Sequence, residues 1–143
     1  MEAEALDSDH DLLALLEASR TIAVVGMKNN ESQDAYRVPL YMQRHGYRIL
    51  PVNPKLDRVL GERATHSLAD VSLPVDLVNL FRAPDNIPRH VEEILAMQPR
   101  PRAVWMQLGI VHGASAARLR AEGIQVVQDR CIMVEHRRLL APG

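Results

Sequence analysis

Thr21-Ile22-Ala23-Val24-Val25-Gly26 is the stretch on which the fold turns. A run without polar alternation suits a parallel strand covered on both faces, and a glycine at its end permits a tight exit. Upstream, Ser8 and Asp9 precede Leu12, Leu13, Leu15 and Leu16. That is helical spacing behind an N-cap, so residues 8–18 read as a leading helix against the sheet edge. Downstream, residues 36–45 have helical character and stop at Gly46, with Pro39 expected in the first turn, where a missing N–H is harmless. Arg48 to Val52 follows as a second strand, and residues 67–71 allow at most a turn of helix.

The alternation continues to the C-terminus. Residues 75–81 read as a third strand, followed by a helix with Asp85 as cap, Pro88 in its first turn, and Ile87, Val91, Ile94 and Leu95 on one face. Residues 103–107 form a fourth strand, 114–121 an Ala-rich helix stopped by Gly123, and 124–127 a fifth strand. Strands alternating with helices predict an α/β fold: a five-stranded parallel sheet, order 3-2-1-4-5, with right-handed crossovers and helices on both faces.

The chain has 143 residues and no repeat or linker, which predicts a single domain over 1–143: a leading helix within 1–19, a core over 20–136 and a tail over 137–143. Aromatic residues are 3% of the chain, so the core must be built from aliphatic side chains and methionine. A formal net charge of -1 argues against nucleic acid or an anionic membrane as partner. With one cysteine, Cys131, there is no intrachain disulfide, and the start of the chain is acidic where a signal peptide would be basic. A cytoplasmic protein is expected.

In such sheets ligands bind beyond the carboxyl ends of the strands, near the point where strand order reverses. The candidates are therefore Gly26, Met27, Lys28, Asn29 and Asn30, then Asn53, Pro54 and Lys55, then Phe81 and Arg82, then Gln107 to Gly109, then Asp129 to Cys131. The first turn lacks a dinucleotide fingerprint, since Lys28 and Glu31 stand where the second and third glycines would. It reads either as an anion cradle aided by Lys28 or as an exposed polar loop. After the second strand, Asn53 replaces the acid that would bind a ribose diol, while Lys55 and Arg58 bring positive charge. That suits a phosphorylated ribose, as in NADP or coenzyme A, unless both cations are merely solvated. Phe81 could flank an apolar cofactor arm and Arg82 reach a pyrophosphate, with core packing and a helix-end contact as the alternatives. Trp105 reads as core or subunit interface.

TIAVVG, YRVPLYMQRHGYRILPVNP, LGE at 60–62, SLAD at 67–70, PVDLVNLFR at 74–82, WMQLGI at 105–110 and DRCIMVEH at 129–136 together resemble the small bacterial CoA-binding proteins of the second CoA-binding domain family. More distantly they resemble the N-terminal CoA-binding domain of the succinyl-CoA ligase alpha subunit. The resemblance implies a Rossmann-like fold that binds coenzyme A or an acyl-CoA across the strand ends. The phosphates would meet residues 26–30 and the helix start near Tyr36, and the adenosine end Asn53, Pro54 and Lys55. The pantetheine arm would pass Phe81 and Arg82 toward Gln107 and Gly109.

No catalysis is expected from this chain alone. The ligase's phosphohistidine lies in a second domain for which there is no room here. The six histidines show no metal-ligand spacing, and no Gly-x-Ser-x-Gly elbow occurs. Glu135-His136 reads as a hydrogen-bonded structural pair. Cys131 reads as a buried small hydrophobe or, beside Arg130, as a redox-active thiol. An NADP-dependent oxidoreductase on a degenerate frame is the alternative, and an adaptor that has lost its ligand the weaker third. A protein partner or a second copy of the chain stays open.

Overall fold

The computed structural model describes residues 6–140. The first acidic residues and the last three of the expected tail lie outside that range. In order, the elements are α1 (Asp9–Ala18), β1 (Thr21–Val25), α2 (Asp34–Arg44), β2 (Arg48–Val52), β3 (Arg58–Val59), β4 (Glu62–Arg63), β5 (Leu77–Leu80), α3 (Ile87–Ala96), β6 (Ala103–Met106), α4 (Gly113–Ala121), β7 (Gln125–Val127) and α5 (Ile132–Leu139). The five long strands pair in parallel in the order β2-β1-β5-β6-β7, and β3 and β4 form a separate antiparallel hairpin.

Side-chain alternation divides the core. Ile22 and Val24 point with Trp105 toward α1, α2 and α5, while Ala23 and Val25 point with Val104 toward α3 and α4. The result is three layers with the sheet in the middle. Trp105 is fully buried in the first of these interfaces, and its Nε1 donates to the Arg130 carbonyl at 2.8 Å. Ser8 caps α1 by accepting from the Asp11 N–H at 3.1 Å.

Four expectations are corrected. In order of appearance of the long strands the sheet runs 2-1-3-4-5, not 3-2-1-4-5. The outer edge of β2 is taken by the chain after the β3–β4 hairpin: Thr65 N–H donates to the Pro51 carbonyl at 3.0 Å, and Asn53 N–H to the Thr65 carbonyl at 2.9 Å. The third long strand, β5, therefore pairs on the other side of β1. The second correction is Pro39, which lies past the first turn of α2. The Ala35 carbonyl it leaves without a helical donor accepts instead from the Lys28 backbone N–H at 3.2 Å. Third, Asp85 lies in a 3-10 turn, Pro84–Asn86, and Asn86 takes the N-cap position of α3 without a side-chain bond. Fourth, Glu135 and His136, both within α5, do not bond each other. Glu135 holds Arg138 and Arg130, while His136 Nδ1 meets the Tyr41 hydroxyl at 2.9 Å.

That last contact joins α2 to α5. His136 is buried, edge-on to Tyr41, His45 and Tyr47, with the Arg137 guanidinium over the Tyr41 ring. Burial first, and the neighbouring His45 second, hold the His136 imidazole below the usual histidine range. The unfolded chain then binds the extra proton more readily, so stability is full above pH ~6.5 and declines as pH falls below it. Thermal denaturation should show Tm dropping between pH 7 and pH 5, with a smaller drop in His136→Phe. An unchanged slope in the variant would remove His136 as a source.

Candidate functional site

The observed strand order sets where the chain reverses direction across the sheet. From β1 the chain steps one way to β2 and then the other way to β5, so the reversal lies between β1 and β5. Their carboxyl ends are Gly26 and Phe81-Arg82. The two backbones are in close contact there. Gly26 has φ +84°, and a Cβ on it would stand 2.4 Å from the Phe81 carbonyl oxygen, closer than any real side chain tolerates. The Gly26 N–H donates to the Val52 carbonyl at 3.0 Å and Phe81 N–H to the Val25 carbonyl at 2.9 Å, so three strand ends converge on this point.

A groove opens on each side of it. One lobe, of about 410 Å³, lies between the β1 and β2 ends, the 3-10 turn at Leu68–Asp70, and α3. The other, of about 480 Å³, lies between the start of α2 and the ends of β5 and β6, and reaches Cys131. Gly26, Lys28, Phe81 and Arg82 line both lobes, forming the saddle between them. Asn53, Pro54 and Lys55 line the first lobe, and Gln107 and Gly109 the second.

Six candidates do not line either lobe, Asp129 and Arg130 among them. The Met27 side chain is fully buried in the core, and Asn29 and Asn30 are exposed in the loop, where the Asn30 carboxamide accepts from Ser32 N–H at 2.9 Å. Tyr36 packs against the hydrophobic core on the α2 side. Arg58 is also absent; its guanidinium donates to the Gly61 carbonyl in the hairpin.

The electrostatics differ between the lobes. Lys28, Lys55, Arg82 and Arg89 all border the first, and none makes an ion pair among the described residues. The Arg82 Nε is buried without a partner. Glu93 is the lobe's one carboxylate, and it accepts from His90 Nδ1 at 2.6 Å. The second lobe is bordered mainly by Ala35, Phe81, Ala83, Pro84, Leu108 and Ile110. Gln107 is buried at its floor with Oε1 committed to the Ile132 N–H at 2.9 Å and Asn79 Nδ2 at 3.3 Å. Cys131 is half-buried at the start of α5. Arg130, the cation beside it in sequence, instead reaches Glu135 and the Asp7 carbonyl.

The α3 wall of the first lobe, Arg89, His90 and Glu93, was missed, as was the His66-Ser67-Leu68 wall. A signal existed for His90: it stands three residues after Ile87 and one before Val91, a polar side chain inside the apolar stripe. No group of three His, Cys, Asp or Glu among the described residues could hold a metal ion. No described helix is long and apolar enough to cross a membrane.

Asn53 has a role the sequence did not disclose. Its Nδ2 donates to the Met27 carbonyl at 2.6 Å and its Oδ1 accepts from Lys55 N–H at 2.8 Å, so it clamps the first loop to the second. Both ends of the carboxamide are used, and an acid could not replace it because a carboxylate cannot donate to Met27. Asn53→Asp should lower stability by about 1–3 kcal/mol, the cost of stripping a buried carbonyl of its donor. Chemical denaturation at pH 7 measures it, and an unchanged midpoint would mean the clamp holds nothing.

The CoA binding domain family matches residues 20–137. Uncharacterized protein YneT of Bacillus subtilis (strain 168) is 36% identical over 129 residues, covering 90% of this chain and 94% of that one. The solved structure of cell-free ID.343 from Thermus thermophilus is 43% identical, with a TM-score of 0.89, over 94% of this chain and 100% of its own. A hypothetical protein from Pyrococcus horikoshii OT3 is 31% identical, with a TM-score of 0.88, over 98% and 99%. The match spans both loops that Asn53 ties together and every strand that ends at the groove, and the chain belongs to the CoA binding domain family.

Proposed function

We propose that this protein binds coenzyme A or an acyl-CoA along the two-lobed groove and catalyses no reaction by itself. The observation that carries the reading is the gradient along the groove: Lys55 and Arg89, without an ion pair among the described residues, on one side, Lys28 and Arg82 on the saddle, and a mainly apolar channel ending at a half-buried thiol on the other. Coenzyme A has the same polarity along its length. Its nucleotide end carries three phosphates, and its pantetheine arm is neutral.

The residues present fit such a molecule. The orphaned Arg82 Nε, at the saddle beside Gly26, is a donor waiting for an acceptor. Lys28 and Arg82 at the saddle suit the pyrophosphate, and Lys55 and Arg89 suit the 3′-phosphate. Phe81, Leu108 and Ile110 offer the pantetheine arm an apolar wall, while Gly109 N–H is held by Asp129 Oδ1 at 2.7 Å and keeps that turn in place. The family membership counts against NADP, and so does the first turn, where Lys28 and Glu31 replace the second and third glycines of a dinucleotide fingerprint. Binding, orienting and shielding are what these side chains do; the bound thioester or thiol is presented, with a partner protein or second copy of the chain as the receiver.

In a thermal-shift titration coenzyme A should raise Tm well above the effect of NADP or NAD, since ligand at ~100 times its dissociation constant adds about 2.7 kcal/mol of apparent stability. A shift with NADP and none with coenzyme A would establish the oxidoreductase alternative instead. Lys55→Ala should weaken coenzyme A about 10- to 100-fold while barely changing dephospho-CoA, as loss of one charge-assisted bond to the 3′-phosphate requires. Calorimetry giving equal losses for the two ligands would assign Lys55 to another phosphate.

A further inference from the structure

On the α3 wall of the first lobe, His90 is 7% exposed and bonded through Nδ1 to Glu93 Oε1 at 2.6 Å. Its other ring nitrogen, Nε2, is buried and has no partner. A carboxylate only accepts, so Nδ1 carries the hydrogen, and in the neutral ring Nε2 is left as a bare acceptor. Burial first pushes the imidazole below the usual histidine range. Glu93 opposes this, and Arg82 and Arg89 add to it, so the ring is neutral at pH 7. Across the same lobe Arg82 Nε is an orphaned donor, which means the two are not bonded to each other. Buried polar groups without partners are rare, and a pair of opposite kinds in one cleft calls for a single guest that can both donate and accept.

We infer that His90 is a specificity-determining residue: its Nε2 accepts a hydrogen bond from the adenosine half of the ligand, while Arg82 Nε donates to the neighbouring pyrophosphate. The inference rests on the coenzyme A reading and deepens it. At neutral pH the phosphates offer essentially no hydrogen to donate. Two donors therefore remain in that half, the adenine amine and the ribose 2′-hydroxyl. Leu68 and Val52 in the same lobe supply apolar surface for a base. Glu93 is a positioning residue that fixes the tautomer.

Calorimetry with wild-type protein and three ligands tests this: coenzyme A, its hypoxanthine analogue, in which a carbonyl replaces the amine, and its 2′-deoxy analogue. One analogue should bind about 10-fold or more weakly than coenzyme A, and which one identifies the donor. His90→Leu should bind coenzyme A as weakly as that analogue and no longer tell the two apart. His90→Gln, which keeps an acceptor, should restore part of the discrimination. The wild-type comparison stands even if a variant fails to fold. Equal binding of all three ligands by wild-type protein overturns the inference while leaving coenzyme A binding intact, as does an unaltered preference in a folded His90→Leu. No binding of coenzyme A at all overturns both readings.

Discussion

The contact between the Gly26 backbone and the Phe81 carbonyl governs the geometry of everything above it. Parallel neighbours in a sheet are separated by their side chains' needs as well as their hydrogen bonds, and β1 and β5 can end as close as they do because Gly26 brings no Cβ. From that pinch the chain leaves β1 toward α2 and leaves β5 toward α3, on opposite faces of the sheet. The groove is the space between two departures. Widening the pinch would merge the two lobes and blur the polarity that distinguishes them.

The loops above the pinch are held by groups that look like defects when taken singly. Pro39 interrupts a helix, and the carbonyl it frees anchors the loop at Lys28. Asn53 stands where an acid would bind a ribose, and its carboxamide ties Met27 to Lys55. Gln107, at a strand end, spends its carbonyl on the start of α5 and on Asn79. Each fixes backbone rather than reaching for a ligand. The groups left free for chemistry around the groove include the four cations, His66, His90 and the thiol.

Much of this was legible in the sequence, and the failures have physical causes. Short apolar runs located every long strand, because a strand buried on both faces is mostly apolar, although β5 carries Asn79 and β2 and β7 open on polar residues. Strand order was not legible from those runs, but one residue carried it. Pro51 lies inside β2, and a proline cannot donate to a ladder, so its strand belongs at a sheet edge. The order 3-2-1-4-5 would have put that strand between two neighbours. Strand ends pointed to the saddle and to most of the groove's floor. The α3 wall was hidden because its spacing reads as core, and only His90 within the stripe betrayed a second use. The burial of the Met27 side chain was not legible, because proximity to a glycine turn says nothing about which way a side chain points.

Trp105 is the chain's one tryptophan, and its indole is buried and bonded to the Arg130 carbonyl. All tryptophan emission from the protein therefore originates at a single site, one residue along the chain from the carbonyl partner to Cys131. Any event at the far end of the groove that shifts that segment changes the hydrogen bond of the fluorophore itself. The fold thus carries its own optical gauge of whatever the thiol end of the groove is doing, with no label added.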